Sequence, residues 1–179
     1  MSGPWRPGTR RADSASMLRV DQAGEYGATR IYAGQIAILP PNSAAAKLVA
    51  RMALQERRHL DRFDALIAER RVRPTALQPF WNVAGFALGA ATALIGEEAA
   101  MACTDAVETE IGRHYQSQLD ELGEEDPELS ADIAQFRAEE LEHLETARSA
   151  GAERAPGYPV LTGTIRAACR VAIALSKRI

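Results

Sequence analysis

Glu25, Tyr32 and Gln35, followed by Glu56 and His59, recur in the second half of the chain as Glu108, Tyr115 and Gln118, followed by Glu140 and His143. The first three positions are offset by 83 (108 − 25, 115 − 32, 118 − 35) and the last two by 84 (140 − 56, 143 − 59). A repeat kept for packing alone would conserve apolar residues, whereas this one conserves metal-ligand types, so it points to a duplicated supersecondary unit built around metal. Within each Glu-x-x-His the two side chains stand three residues apart, share a helix face and can hold adjacent ions. Two of the three histidines in the chain occupy these positions. Four glutamates and two histidines make a hard donor set suited to a dinuclear site, with iron favoured over manganese.

The elements that must carry these residues read as helices. Ser14 or Ser16 can cap a helix that carries Leu18, Glu25, Ala28, Tyr32 and Ile36 and stops at Pro40-Pro41. Asn42 or Ser43 can cap a second, running through Met52, Glu56, His59, Phe63 and Leu66. The two prolines between Arg71 and Pro79 predict an extended crossover. A long helix is then expected from about Trp81 to Leu122, bent near one of its glycines, with a fourth from about Glu128 to Ala150 and an amphipathic last helix after the turn APGYP. No stretch alternates as a strand does, so the expected fold class is all-α.

The spacing gives these helices a geometric task. Glu25 to Pro40 and Pro41 to Glu56 are each 15 residues apart, Glu108 to Gly123 is 15 and Pro127 to Glu140 is 13. An antiparallel hairpin with equal arms, about 22 Å out and back at ~1.5 Å per residue, brings its two glutamates to one level. Two such hairpins packed together form a ferritin-like four-helix bundle, with one Glu from each of two helices and Glu-x-x-His from each of the others.

The bulk composition is compatible with one domain over residues 14–179, preceded by a flexible arm over residues 1–13. A net charge of −3 over 179 residues argues against a nucleic-acid partner. The arm has no apolar run of the secretory kind. Cys103 and Cys169 lie far apart without CxxC spacing and read as reduced, small hydrophobes.

Thr75 to Gly96 contains no charged residue and follows Arg70, Arg71 and Arg73. Gln78, Pro79, Asn82 and several glycines favour an interfacial or partly inserted helix over a span. In the last helix Arg166, Arg170 and Lys177 run beside Ile165, Ile173 and Leu175, as expected of a helix lying on anionic lipid. Gly24 and Gly27 bracket Glu25. They are read equally as space for oxygen or a flat ring and as tight helix packing. Tyr32 is read as a packed ring with its hydroxyl bonded to a neighbour, and Tyr115 as divided between that role and a redox role. No glycine-rich dinucleotide fingerprint occurs.

The stretches LRVDQAGEYGATRIYAGQ, QERRHLDRF, RVRPTALQPFW, GFALGAATALIGEEAAMACTDAVETEIGRHYQSQL and FRAEELEHLETA together resemble the demethoxyubiquinone hydroxylases of ubiquinone biosynthesis, from Leu18 to the end of the chain. Ferritin-like proteins in general share the ligands but not GEYGA or AMACTDAVE. The resemblance implies an O₂-dependent monooxygenase acting on a demethoxyubiquinol ring, with two iron ions held by Glu25, Glu56, His59, Glu108, Glu140 and His143. It also implies His114 and Tyr115 near the quinone and its electron transfer, with NADH as the electron source. The implied setting is a membrane surface, the cytoplasmic face of a bacterial inner membrane or the matrix face of a mitochondrial one. An accessory lipid-binding protein is implied as a partner, and a homo-oligomer is left open. Two other readings stand beside it: a ferritin-like or rubrerythrin-like iron-handling protein, and a non-catalytic membrane scaffold for ubiquinone synthesis.

Overall fold

A computed structural model describes residues 12–179, so all but the last two positions of the expected arm lie outside the described residues. Six helices follow one another: α1 (Ser14–Ile38), α2 (Ala44–Glu69), α3 (Gln78–Ile95), α4 (Glu97–Leu122), α5 (Pro127–Ser149) and α6 (Tyr158–Ser176). A short 3₁₀ turn, Ala152–Arg154, precedes α6, and no strand occurs among the described residues. The all-α expectation holds.

The helix starts follow from short polar side chains that satisfy free backbone amides. Asp13, rather than Ser14 or Ser16, caps α1, its carboxylate accepting from the Ser16 amide at 3.0 Å. The Ser43 hydroxyl accepts from the Ala46 amide at 3.1 Å to start α2. Asp126 does the same for Leu129 at 3.2 Å, just before Pro127, whose missing N–H is harmless in a first turn. The long helix expected from Trp81 to Leu122 is two helices. Gly96, at φ 150° and ψ 171°, ends α3 and begins α4, a conformation that a side chain would strain.

Packing pairs α1 with α2 and α4 with α5, lays α3 along α1, and sets α6 on α4. One apolar cluster gathers Tyr32, Val49, Met52, Ala99 and Met101. A second gathers Leu18, Phe63, Leu66, Tyr115, Ile133 and Phe136. At the α2–α5 end, Arg62 reaches Asp132 at 2.7 Å and Glu128 at 3.0 Å, and Arg70 reaches Glu128 at 2.8 Å. These half-exposed pairs fix the register of the two helices more than they stabilise the fold.

The uncharged segment is fastened to the protein along one side. A methyl group added at Gly34 would overlap the Phe86 carbonyl, and one at Gly89 would overlap the Ile31 carbonyl, so α1 and α3 touch backbone to backbone. Around Gly24 and Gly27 no atom lies within 4 Å of such a methyl. The tight-packing glycines are therefore Gly34 and Gly89, and the two that bracket Glu25 face open space. The far side of α3 leaves Phe80, Val83, Leu94 and Ile95 exposed, and α6 leaves Val160 and Val171 exposed. No helix among the described residues is long and apolar enough to cross a membrane.

Two of the three basic residues of the α6 stripe, Arg166 and Arg170, are paired with α4 while still partly exposed. Arg166 approaches Asp105 at 3.5 Å and Thr109 at 3.3 Å, and Arg170 reaches Glu110 at 2.9 Å. Asp105, fully buried, also receives Arg148 of α5 at 3.4 Å and the Tyr158 hydroxyl, so one carboxylate ties α4, α5 and α6 together. A buried carboxylate demands such partners, and the arginines reach it from the surface, Arg170 with its side chain still 54% exposed.

Replacing Gly89 by alanine should lower stability by about 2 kcal/mol through overpacking. Gly24→Ala should be neutral or stabilise by up to about 1 kcal/mol, the helix-propensity gain. Urea unfolding of the two variants checks this ordering, and equal effects would contradict the close α1–α3 approach.

Candidate metal centre

Of the ten residues in the repeat, the six candidate ligands meet in the interior, and each is at most 2% exposed. They form two overlapping groups. Glu25, Glu56, His59 and Glu140 each offer a ligand atom within 4.8 Å of the others, and so do Glu56, Glu108, Glu140 and His143. Glu56 and Glu140 belong to both groups. Glu25 and Glu108 each belong to one, at opposite ends.

The surrounding contacts cross between the two halves. Tyr32 of α1 donates its hydroxyl hydrogen to Glu108 of α4 at 2.5 Å, while Tyr115 of α4 donates to Glu25 of α1. His59 of α2 presents Nδ1 to Glu140 at 3.0 Å, with its Nε2 3.0 Å from Glu139 of α5. His143 of α5 presents Nδ1 to Glu56 at 3.0 Å, and its Nε2 meets the Gln55 side-chain oxygen of α2 at 3.0 Å. With each Nε2 engaged outward, both rings aim Nδ1 at the centre. The His59 ring also stacks on Phe136, centroids 4.1 Å apart.

Gln55 and Glu139 escaped the reading of the sequence. The signal was available, since they are 84 apart (139 − 55) and each immediately precedes the glutamate of its Glu-x-x-His. Of the two residues expected beside the quinone, Tyr115 lies against Glu25, but His114 belongs to neither ligand group. Its Nε2 stands 3.6 Å from Asp21 of α1, a further buried carboxylate that the sequence reading passed over.

The donor set fits a pair of cations. Glu56 Oε1 and Oε2, Glu25 Oε2, Glu108 Oε2, Glu140 Oε1 and His59 Nδ1 are all buried without a hydrogen bond, and they converge. Four carboxylates cannot all stay ionised at this separation without positive charge between them. Without metal, protons supply it. Burial, reinforced by Glu140, pushes Glu56 and Glu108 well above the usual carboxylate range, and burial raises Glu140. Burial opposes charge on His59, yet contacts with Glu140 and Glu25 push its imidazole up to about 11. Burial lowers His143. Glu25 goes down despite burial, through its contacts with His59, Glu56 and Tyr115. Burial and the adjacent carboxylates raise both tyrosines, which stay neutral donors.

These shifts set the pH dependence of the metal-free protein. Glu56, Glu108 and Glu140 retain protons when folded that the unfolded chain releases above 4.5, so each loses stabilising effect as pH rises. His59 acts in the same sense between 6.5 and about 11. Glu25, with its lowered value, acts oppositely, its contribution being lost as pH falls. His143, lowered by burial, also acts oppositely, costing stability as pH falls below 6.5, but three raised carboxylates and one raised imidazole outweigh one carboxylate and one imidazole. The melting temperature of metal-free protein should therefore fall between about pH 5 and about pH 8, and saturating ferrous iron should flatten or reverse the trend. A metal-free protein that gains stability over that range would contradict the cluster's electrostatics. Glu139→Ala, which frees the outer nitrogen of His59, should weaken ferrous-iron affinity by roughly 10- to 100-fold, measurable by competition with a chelator.

The comparisons with known proteins agree with one another. The family model described as "Ubiquinone biosynthesis protein COQ7" matches residues 12–176. A Rhodospirillum rubrum protein named 3-demethoxyubiquinol 3-hydroxylase is 54% identical over 162 residues, covering 90% of this chain and 76% of its own. A human protein named NADPH-dependent 3-demethoxyubiquinone 3-hydroxylase, mitochondrial, is 53% identical over 173 residues, 94% of this chain and 79% of its own. A Saccharomyces cerevisiae protein named 5-demethoxyubiquinone hydroxylase, mitochondrial, is 46% identical over 179 residues, 91% of this chain and 77% of its own.

Proposed function

The chain belongs to the COQ7 family of ubiquinone biosynthesis proteins, and on that footing we propose that it hydroxylates the ring of a demethoxyubiquinol, using O₂ and two iron ions. Glu25, Glu56, His59, Glu108, Glu140 and His143 would hold the pair, within a ferritin-like arrangement of α1, α2, α4 and α5. Ferrous iron bound there supplies the electrons that activate O₂. The observation that carries the reading is the convergence of unpartnered, buried ligand atoms from both halves of the chain.

Beside the cluster runs an apolar cavity of about 180 Å³, lined by α1, α3, α4 and α6. Gly24 and Gly27 form part of its wall, along with Val107, Leu88, Trp81 and Ile173. Gly24 is next to Glu25 and Val107 is next to Glu108, so the cavity runs alongside the ends of the ligand array. This favours the first reading of the two glycines, room for a flat ring. An apolar wall excludes water from the reacting centre and accepts a polyprenyl tail. An iron store has no need of such a cavity, nor does a scaffold need the full ligand set.

The protein's own groups position the chemistry. The Tyr32 and Tyr115 hydroxyls fix the terminal glutamates, and Glu139 and Gln55 fix the two imidazoles. The exposed apolar side chains of α3 and α6 border the cavity helices and support docking at a lipid surface as a peripheral protein, where such a substrate resides. Reduced nicotinamide is the electron source in this reading. Four mammalian relatives and others carry NADPH in their names, which favours NADPH over the NADH implied by the family resemblance. An accessory lipid-binding protein remains a proposed partner.

Purified iron-loaded protein should convert demethoxyubiquinone to the hydroxylated ring in the presence of O₂ and NADPH, with about two irons per chain. Glu56→Ala and His143→Ala should abolish product and reduce bound iron while leaving helix content largely intact by circular dichroism. Glu142→Ala, on the exposed face of α5, should leave both unchanged. Quinone-independent oxygen uptake without hydroxylated product would refute the proposal.

A further inference from the structure

The seams between the four helices that wall the cavity are fastened unequally. α1 and α3 touch backbone to backbone at Gly34 and Gly89. α1 and α4 are joined through the Tyr32–Glu108 and Tyr115–Glu25 contacts. α4 holds the first part of α6 through Asp105 and Glu110, which receive Tyr158, Arg166 and Arg170. The remaining seam, between α3 and α6, is slight. There the Trp81 indole N–H donates to the Ser176 hydroxyl at 3.2 Å, the only hydrogen bond between these two helices among the described residues. Both residues belong to the cavity wall, so this bond bars one end of the slot between the helices.

Past Arg170, little holds α6 down. Its ion pairs stop at that residue. Cys169, Ala172, Ile173 and Ser176 follow at intervals of three or four, so one face of the helix lines the cavity. Set against an apolar space of about 180 Å³, that face lacks the close partners a packed core would give it. The opposite side leaves Val171, Leu175 and Ile179 exposed, and Ser176 is the only buried residue after Ile165. Just beyond the helix, the Ser16 hydroxyl donates to the Lys177 carbonyl at 3.4 Å, and the Ala76 amide donates to the Ile179 carbonyl at 3.0 Å. A segment with few buried apolar contacts, tied by single hydrogen bonds, opens more readily than the rest of a fold.

We infer that residues 171–179 are a movable jaw of the cavity, latched to Trp81, Ser16 and Ala76, whose release widens the slot between α3 and α6 and admits the quinol ring; this rests on the hydroxylase reading. Release in water bares the apolar wall on both sides of the slot, which is unfavourable. Against an incoming apolar substrate that penalty disappears. The latch therefore keeps the slot narrow until such a ligand takes the place of water.

Ser16→Ala removes one latch contact without altering the cavity wall, and Ser176→Ala removes another at the wall itself. Losing one net hydrogen bond should raise the population of the released form about fivefold. Cys169, half-buried in the cavity wall, reports that form, whereas Cys103, fully buried on α4, reports wider unfolding. Iron-loaded protein is treated with N-ethylmaleimide and the labelled cysteine identified by mass spectrometry. Cys169 should react about fivefold faster in either variant and faster still in the double variant, because the two contacts are separate. Cys103 should stay unreacted, and the melting temperature should change little. Binding of a short-chain ubiquinone, followed in stopped flow by quenching of tryptophan fluorescence, should accelerate by a similar factor. Unchanged Cys169 labelling in both variants, equal acceleration at Cys103, or faster labelling without faster quinone binding would each overturn the jaw. Failure of the unaltered protein to bind ubiquinone would instead count against the hydroxylase reading, and the labelling rates would still decide whether residues 171–179 open.

Discussion

Four carboxylates packed together out of water repel one another, and the architecture is organised around that repulsion. Each of Glu25, Glu56, Glu108 and Glu140 is essentially inaccessible, and only protons or cations can hold them at this distance. The conflict between burial and charge is relieved where positive charge lies among the carboxylates. It also makes the metal-free fold sensitive to pH, because the protons that substitute for metal leave as pH rises. The apolar clusters around Tyr32 and around Tyr115 keep the repulsion from being relieved by water.

Contacts that cross between the halves hold this arrangement. Each tyrosine supports the glutamate of the other half, and each histidine is oriented by the residue before the other half's Glu-x-x-His. Gln55 and Glu139 are themselves 3.5 Å apart, closing the circuit between α2 and α5. Neither half could assemble a complete ion site by itself, since each ligand group draws on both. Reciprocal dependence of this kind makes positioning cooperative, so that a loss in one half is felt in the other.

What distinguishes the two ends of the site is added on one side. α3 lies on α1 through the Gly34 and Gly89 contacts, α6 lies on α4 through Asp105, and the cavity forms among these four helices. The Asp21–His114 pair also lies on α1 and α4, beside the Tyr115–Glu25 contact. A symmetric ligand array is thus set in an asymmetric surround.

The sequence by itself determined the helical class, the hairpin breaks at proline, and the six residues that meet in the interior, because a period of 83 to 84 residues in metal-binding side chains has few physical explanations. Local chemistry, a glycine or a short polar cap, set the helix ends to within a residue or two, though it left open whether Gly96 bends a helix or divides it. Only the tertiary structure decided which tyrosine meets which glutamate, that Gln55 and Glu139 orient the imidazoles, and that Arg166 and Arg170 turn toward Asp105 and Glu110 rather than outward. It also decided which glycines make close contacts and which line a cavity. The reason is the range of the interactions. Helix period and capping act over a few residues and are written along the chain, whereas the partner of a buried charge is chosen by which helix lies beside it, across 76 residues for Tyr32 and 90 for Tyr115.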